Sequence, residues 1–221
     1  MTMNERPGDQ VGRHVARVIG RLQPQYLPAD GRAQSTPHAA ASLAALRQAK
    51  VGDPAGDVRT WQVTLAGIPD RLLSDSPDGP GSAEYAVHAA LVLWATHQQS
   101  RRAPMHTPGP SLGRAVAQLS RRLGGSDQIQ PSLLRRFHSV ATATNQEQRL
   151  HHLRSLITLL RANEVPLDYA RLSIDLYRLS TGGADRVLLS WGRDLYRRPT
   201  EQAGDDEDTV PSEPAIPPTD N

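Results

Sequence analysis

The sequence predicts an all-α protein, a compact helical bundle of roughly seven to nine helices arranged as one unit or as two sub-bundles. Apolar residues recur at intervals of three and four along most of the chain, and the alternation of Val, Ile and Thr typical of strands is almost absent. Pro and Gly cluster between the periodic segments, at 52–56, 75–81, 103–110 and 124–125. A chain of 221 residues is long enough to bury a core without disulfides.

The N-terminal half predicts four helices. The first covers residues 11–22, with an apolar stripe beside a basic ridge of Arg13, Arg17 and Arg21. The second covers 37–50, with Thr36 as its N-cap, and the third covers 82–98. The fourth begins at 111 and ends at the glycines 124–125. Its predicted inward-facing residues are Leu112, Val116, Leu119 and Leu123.

The C-terminal half has the clearer helical pattern. Two amphipathic helices are predicted around residues 133–141 and 150–160. The next begins with Asp168 as its cap and ends at 182–183, and the last covers 184–198. In that last helix we expect Trp191 to be buried and Arg193 and Arg197 to be exposed.

Charge divides the chain into a body over residues 1–199 and an acidic, Pro-rich tail over residues 200–221 that we expect to be disordered. The net charge is only +2, but residues 201–221 carry seven acids and no base, which leaves 25 basic and 16 acidic side chains before them. A body of charge +9 indicates an anionic partner or simply a solvated basic surface. The tail either aids solubility or competes for that basic surface.

The inventory of reactive groups predicts no enzyme, no metal site and no cofactor. The chain has no Cys and lacks the nucleophile-elbow, phosphate-loop, dinucleotide-binding and HExxH motifs. Glu84 and His88 at i, i+4 are read as a surface pair. Four acids are read as an N-cap, helix-surface groups and partners of neighbouring Arg: Asp168, Asp175, Asp185 and Asp194.

Other features bear on location and on the mode of binding. No export signal is apparent, and the longest apolar stretch, 86–95, is too short to span a bilayer, so a cytoplasmic protein without membrane contact is predicted. One Phe and three Trp are too few for a base-stacking platform. Of the 25 basic residues only Lys50 is not Arg, and Arg suits contact with phosphates without sequence preference.

Several blocks of sequence resemble the CasB family, the small subunit of the type I-E CRISPR surveillance complex Cascade. They are LLRRF from residue 133, LRSLITLLRANEVPLDYARLSIDLYRL from 153 and RVLLSWGRDLYRR from 186. The Ala-rich AAASLAALRQAKVGDPAG from residue 39 and the helix SLGRAVAQLSRRL from 111 are also similar. The segments 70–82 and 98–110 and the acidic tail have no counterpart that we can place in the family.

The resemblance implies a compact all-α scaffold with no activity of its own. Its partners would be the other Cascade subunits and the guide RNA, the target and displaced DNA strands, and a second copy of itself within the complex. It would bind nucleic-acid backbones and stabilise the R-loop in antiviral defence. The phosphate-contacting residues carried over from the family's basic surface are Arg47, Lys50, Arg121, Arg122, Arg135, Arg136, Arg154 and Arg161.

Two other functions are compatible with the sequence. A helical, sequence-specific DNA-binding regulator would place Arg side chains in a major groove, although no helix presents the Asn, Gln or Ser face that base readout needs. A pure protein-interaction bundle would use its Arg residues on acidic partners and bind DNA weakly even at low salt.

Overall fold

The computed structural model describes residues 5–28, 34–124 and 128–197, and these form nine α-helices and two short 3-10 turns. The predicted tail lies outside the described residues. Within them the only β-type contact is an isolated bridge between His106 and Leu167, which confirms the all-α class. The helices are α1 (Pro7–Tyr26), α2 (Pro37–Gln48), α3 (Trp61–Thr64), α4 (Ser82–Gln98), α5 (Leu112–Arg122), α6 (Pro131–Ala141), α7 (Gln146–Ala162), α8 (Tyr169–Ser180) and α9 (Ala184–Tyr196).

The centre of the fold is α4, in which every residue from Ala86 to Gln98 is buried. A helix that is apolar around its whole circumference must be enclosed, and α4 packs against α1, α2, α7 and α8. The eighth helix also packs along α1, while α9 packs against α5 and α8, and α6 against α7. The buried apolar residues of all nine helices form one contiguous cluster. Helices from both halves of the chain therefore share one core.

The predicted caps explain where several helices begin. The Thr36 side chain accepts a hydrogen bond from the Ala39 N–H at the start of α2, and the Asp168 carboxylate accepts one from Arg171 at the start of α8. Ser111 does the same for α5. These bonds satisfy backbone N–H groups that have no partner inside the helix. All three helix starts are as predicted, and α4 has the predicted bounds.

Two predictions of local structure were wrong. The first helix extends well beyond 11–22 because it packs along α8, where Gly8 and Gly12 allow Tyr177 and Ile174 to approach its backbone. Leu123, predicted to face inward, is 42% exposed because α5 ends at Arg122 and Leu123 lies beyond its last turn. In addition, the short helix α3 and the 3-10 turns Val58–Thr60 and Asp70–Leu72 have no clear sequence signal.

The segment between α4 and α5 is fixed by two glutamine side chains. The Gln98 amide donates to the carbonyls of Arg101 and Ala103 at 3.1 and 2.9 Å. Gln23 on α1 donates to the His106 carbonyl and accepts from the His106 N–H, at 3.1 and 3.2 Å. These bonds supply the buried backbone groups of an irregular segment with partners.

No helix among the described residues has the length and apolarity to cross a bilayer.

Candidate nucleic-acid interface

The candidate interface is organised by α7, whose exposed side carries polar residues at intervals of three and four. Such spacing places side chains on one face of a helix. The other side of α7 is apolar and fully buried, which fixes the orientation of the helix. We call the exposed row the α7 stripe, and its members are Glu147, His151, Arg154, Thr158 and Arg161.

At the N-terminal end of the stripe, the segment just after α2 contributes Lys50. Its Nζ lies 3.1 Å from a carboxylate oxygen of Glu147, and both side chains are largely exposed. This ion pair stands beside a cavity of about 280 Å³ whose wall includes Gly52, Tyr85 and Leu150. Burial raises the pKa of the Tyr85 hydroxyl, so the group stays neutral. An exposed pair of this kind is weak, so Lys50 can exchange Glu147 for a phosphate at little cost.

In the middle of the stripe, α6 adds two arginines. Arg136 approaches Ser155 of α7 with an Nη1 to Oγ distance of 3.4 Å, and the neighbouring Arg135 is exposed. Within the described residues the half-exposed Arg154 guanidinium has no hydrogen bond or ion pair. The arginines here thus have no carboxylate partner in the described part of the chain, and their charge is available to an external anion.

At the C-terminal end, two arginines serve the fold as well as the surface. Arg161 donates through Nη1 to the side chain of Gln99 at 2.8 Å and to the carbonyl of Thr96 at 3.3 Å, near the end of α4. Arg122 donates through Nη1 to the carbonyls of Asn163 and Glu164, just after α7. These bonds satisfy carbonyls at helix C-termini. Each guanidinium has five N–H donors, so further contacts remain open to it.

The same end of α7 adjoins the buried His97. Burial and, to a smaller extent, the positive charge of Arg161 lower the pKa of His97 to about 3. His97 bonds through Nδ1 to the Tyr169 hydroxyl at 2.8 Å. His97 is therefore neutral and adds no second positive charge beside Arg161.

The positions of the eight predicted contact residues fall into two groups. Lys50, Arg122, Arg136, Arg154 and Arg161 lie around α7, along about 21 Å of helix between Glu147 and Arg161. That length matches about six phosphates of one B-form strand. The remaining three are Arg47, Arg121 and Arg135. Arg121 and Arg135 are exposed and adjacent in sequence to Arg122 and Arg136, whereas Arg47 is partly covered.

Arg47 differs from the others because it is only partly accessible. Its Nη1 atom is buried and has no hydrogen-bond partner among the described residues. Arg121, by contrast, is exposed in the last turn of α5. His151 is not among the eight predicted contact residues, but its spacing of three from Arg154 and four from Glu147 places it on the α7 stripe.

The acidic residues near helix ends have structural partners. Asp194 accepts hydrogen bonds from Ser111 and Arg171, both at 2.7 Å. Asp175, predicted to be a helix-surface or Arg-paired acid, is instead 6% exposed and accepts the Trp191 indole N–H at 2.7 Å. Burial raises the pKa of Asp175 to about 6. The prediction for Asp175 was wrong because α9 lies over this face of α8.

Glu84 and His88 are also engaged separately. The Glu84 carboxylate accepts from the Gly81 N–H at 2.6 Å, which closes the N-terminus of α4. His88 bonds through Nε2 to the Lys50 carbonyl at 3.0 Å. Across residues 5–28, 34–124 and 128–197 there is no group of three His, Asp or Glu side chains placed to hold a metal ion.

Comparison with known proteins places this fold in a family. The model of the family CRISPR-associated protein Cse2 matches residues 42–196. The crystal structure of CasB from Thermobifida fusca is 36% identical in sequence and superposes with a TM-score of 0.67, over 85% of this chain and 98% of that one.

A second solved chain, from a structure described as a CRISPR RNA-guided surveillance complex, is 22% identical with a TM-score of 0.62. This likeness, over 84% of this chain and 95% of that one, concerns the fold alone. No significantly similar protein was found among curated sequences. Because the family model covers more than half of the chain and the CasB structure is similar along nearly its whole length, the chain belongs to the Cse2 (CasB) family of CRISPR-associated proteins.

Proposed function

We propose that this protein is the non-catalytic small subunit of a type I-E Cascade complex, in which it binds nucleic-acid backbones without sequence preference and stabilises the R-loop. Family membership supports the assignment to such a complex, as does the shared fold with a chain of a CRISPR RNA-guided surveillance complex. The other Cascade subunits, the guide RNA and the two DNA strands are its partners, and a second copy of the subunit lies beside it.

The observation that carries the proposal is the group of basic side chains on and beside α7. Arg136 and Arg154 have no carboxylate partner among the described residues, and Lys50 has only a solvent-exposed one. Arg and Lys on a helix face contact phosphates and sugars, and such contacts position a strand without reading its sequence. The arginines on and beside the α7 stripe can therefore hold a nucleic-acid backbone by charge-assisted hydrogen bonds.

A row of this kind can alter the stability of an R-loop. Exchange of a DNA duplex for an RNA–DNA heteroduplex is nearly balanced in free energy. A few phosphate contacts, each charge-assisted, are therefore enough to change the lifetime of the open state. The salt dependence of this effect follows from the counterions that each contact releases.

The first experiment measures single-stranded DNA binding by fluorescence anisotropy across a salt series. The double variant Arg136→Ala/Arg154→Ala is compared with Arg17→Ala/Arg21→Ala on α1, which removes the same charge from another exposed face. We expect the first variant to bind about tenfold more weakly, and its slope of log K against log salt to be shallower by about 1.4. Equal losses in both variants would contradict a binding surface at α7.

The second experiment measures R-loop lifetime on a supercoiled target. Cognate Cascade lacking this subunit is supplemented with wild-type protein or with the Arg136→Ala/Arg154→Ala variant, and circular dichroism confirms that both are folded. Wild-type protein should lengthen the lifetime and the variant should do so much less, because it lacks two phosphate contacts. A protein that neither joins the complex nor changes the lifetime would refute the proposal. A strong sequence preference on duplex DNA would favour a regulator instead.

A further inference from the structure

The cavity beside the N-terminal end of the α7 stripe is formed by three separate parts of the chain. The segment after α2 contributes Lys50 and Gly52, the first turn of α4 contributes Tyr85, and the beginning of α7 contributes Gln146 and Leu150. We call this space of about 280 Å³ the Tyr85 cavity. A concave site with apolar walls and a few polar groups is the usual form of a pocket for a small ligand.

The hydroxyl group of Tyr85 is the polar group of this cavity that the fold does not use. It is buried and has no hydrogen-bond partner among the described residues. A Cβ built at Gly52 would lie 3.6 Å from the Tyr85 hydroxyl oxygen and 3.3 Å from Cδ1 of Leu150. Because residue 52 has no side chain, space remains between the hydroxyl and Leu150. Buried polar groups nearly always have a partner, so this hydroxyl indicates a ligand with a polar edge.

The size and lining of the Tyr85 cavity suit a nucleobase. At about 30 Å³ per molecule, 280 Å³ corresponds to about nine waters, which is at least the number of non-hydrogen atoms in a pyrimidine base. Val51 and Leu150 offer apolar contact to the faces of a planar ring. The Tyr85 hydroxyl and the Gln146 amide can each donate or accept a hydrogen bond at its edge. Groups that do both match the edge of any base, so entry requires no particular sequence.

The position of the cavity connects it to the α7 stripe. Lys50 and Glu147 lie at its rim, and because they form an ion pair the rim has no net negative charge. Arg154 lies seven residues after Glu147, on the same side of α7 and about 10.5 Å along the helix. A strand whose phosphates contact both Lys50 and Arg154 therefore passes over the mouth of the cavity.

We infer that the Tyr85 cavity receives one unpaired base of the strand whose phosphates contact the α7 stripe. The base turns out of the stack of its neighbours, its faces contact Val51 and Leu150, and its edge bonds to the Tyr85 hydroxyl. A duplex offers no such base, so the cavity favours single strands over duplex. The inference rests on the proposed function, because the strand bound by the α7 stripe is the source of the base.

The first test compares an oligothymidine strand with an abasic strand of the same length and charge, by fluorescence anisotropy. Wild-type protein should bind oligothymidine about tenfold more tightly, because only that strand has a base to bury. In Gly52→Ala/Tyr85→Phe the difference should fall below about twofold, since the new methyl group narrows the cavity and the hydroxyl is lost. Equal affinity of wild-type protein for the two strands overturns the inference.

The matched control is Gly20→Ala/Tyr196→Phe, which should keep the full tenfold difference. A Cβ at Gly20 meets nothing within 4 Å, and Tyr196 is 66% exposed on α9. The cavity variant should remain folded by circular dichroism, because Tyr85→Phe removes a hydroxyl that has no bond to lose among the described residues. A folded cavity variant that still prefers oligothymidine as strongly as the control does overturns the inference.

Salt dependence separates the base from the phosphates. The slope of log K against log salt should be the same in the cavity variant as in wild type, because burial of a base releases no counterion. In Arg136→Ala/Arg154→Ala the slope should be shallower. A shallower slope in the cavity variant would mean that it had lost a phosphate contact, which would contradict the role given to the cavity.

The second test observes the cavity directly, through the methyl resonances of Leu150 in the full-length protein. The ring current of a bound base should shift them when oligothymidine is added, and the abasic strand should leave them unchanged. Resonances that respond equally to both strands overturn the inference.

The two tests separate failure of the inference from failure of the proposed function. If both strands bind with equal affinity and the Leu150 resonances do not move, the inference is refuted and the proposed function stands. If neither strand binds, both are wrong. In that case a Leu150 shift with millimolar thymidine monophosphate would make the cavity a site for a free nucleotide instead.

Discussion

At the residue scale, Asp175 is the acid whose environment differs most from its sequence context. Its position on α8 gives no sign of burial, yet α9 covers it and Trp191 donates a hydrogen bond to its carboxylate. Burial raises its pKa from 3.8 to about 6. Folded protein therefore holds this proton more tightly than unfolded chain does, so the stabilisation is complete below pH 3.8 and is lost as the pH rises through 6.

Asp175→Asn should remove this dependence on pH. Between pH 4.5 and pH 8, wild type should lose roughly 2 kcal/mol of unfolding free energy that the variant retains. Asn keeps an oxygen that accepts the Trp191 N–H and does not ionise. Urea denaturation at the two pH values, fitted for both proteins, measures the difference. Parallel pH dependence in the two proteins would show that Asp175 titrates normally.

At the scale of the elements, the contact between α5 and α9 depends on Gly113. A Cβ at this position would lie 2.0 Å from the carbonyl oxygen of Trp191 and 3.0 Å from the backbone nitrogen of Leu195. Both are backbone atoms of α9 and cannot rotate away. The two helices approach as closely as they do because residue 113 has no side chain.

Gly113→Ala should therefore destabilise the protein by about 3 kcal/mol, because α9 must move away from α5. Gly20→Ala on α1 is the matched control, since a Cβ there meets nothing within 4 Å. The control should stabilise the protein by about 0.5–1 kcal/mol through helix propensity alone. Chemical denaturation of the two variants measures both effects. A Gly113 variant as stable as its control would mean that α5 and α9 are not in close contact.

At the scale of the whole molecule, the two halves of the chain are interleaved. The first helix packs along α8, and α4 is enclosed by helices from both halves. One cluster of buried apolar residues extends through all nine described helices. No boundary divides this core, so neither half can bury its apolar surface without the other.

The described body should accordingly unfold in a single cooperative transition. Trp94 on α4 and Trp191 on α9 are both fully buried and report on different parts of the core. Tryptophan fluorescence and far-ultraviolet circular dichroism should give the same midpoint in urea. Midpoints that differ, or a transition with two steps, would indicate two sub-bundles of unequal stability.

Local sequence determined most of the helices. Periodic apolar residues marked them, and Thr36, Ser111 and Asp168 marked three of their starts, because a cap is a bond between neighbours in sequence. The α7 stripe was equally accessible, since its spacing follows from helical geometry. The family was also identified from sequence, and the family model and the CasB structure confirm it.

Only the tertiary structure decided which of these residues come together and which are occupied. Three examples depend on contacts between different helices: the ion pair of Lys50 with Glu147, the bonds of Arg122 to the carbonyls that follow α7, and the burial of Asp175. A helical pattern shows which face of a helix is apolar, but it does not show which helix covers that face. The sequence by itself determined most of the helices, several of their starts and the excess of positive charge. Packing determined which of those charges remain available to an external anion, because burial and pairing are properties of the assembled core.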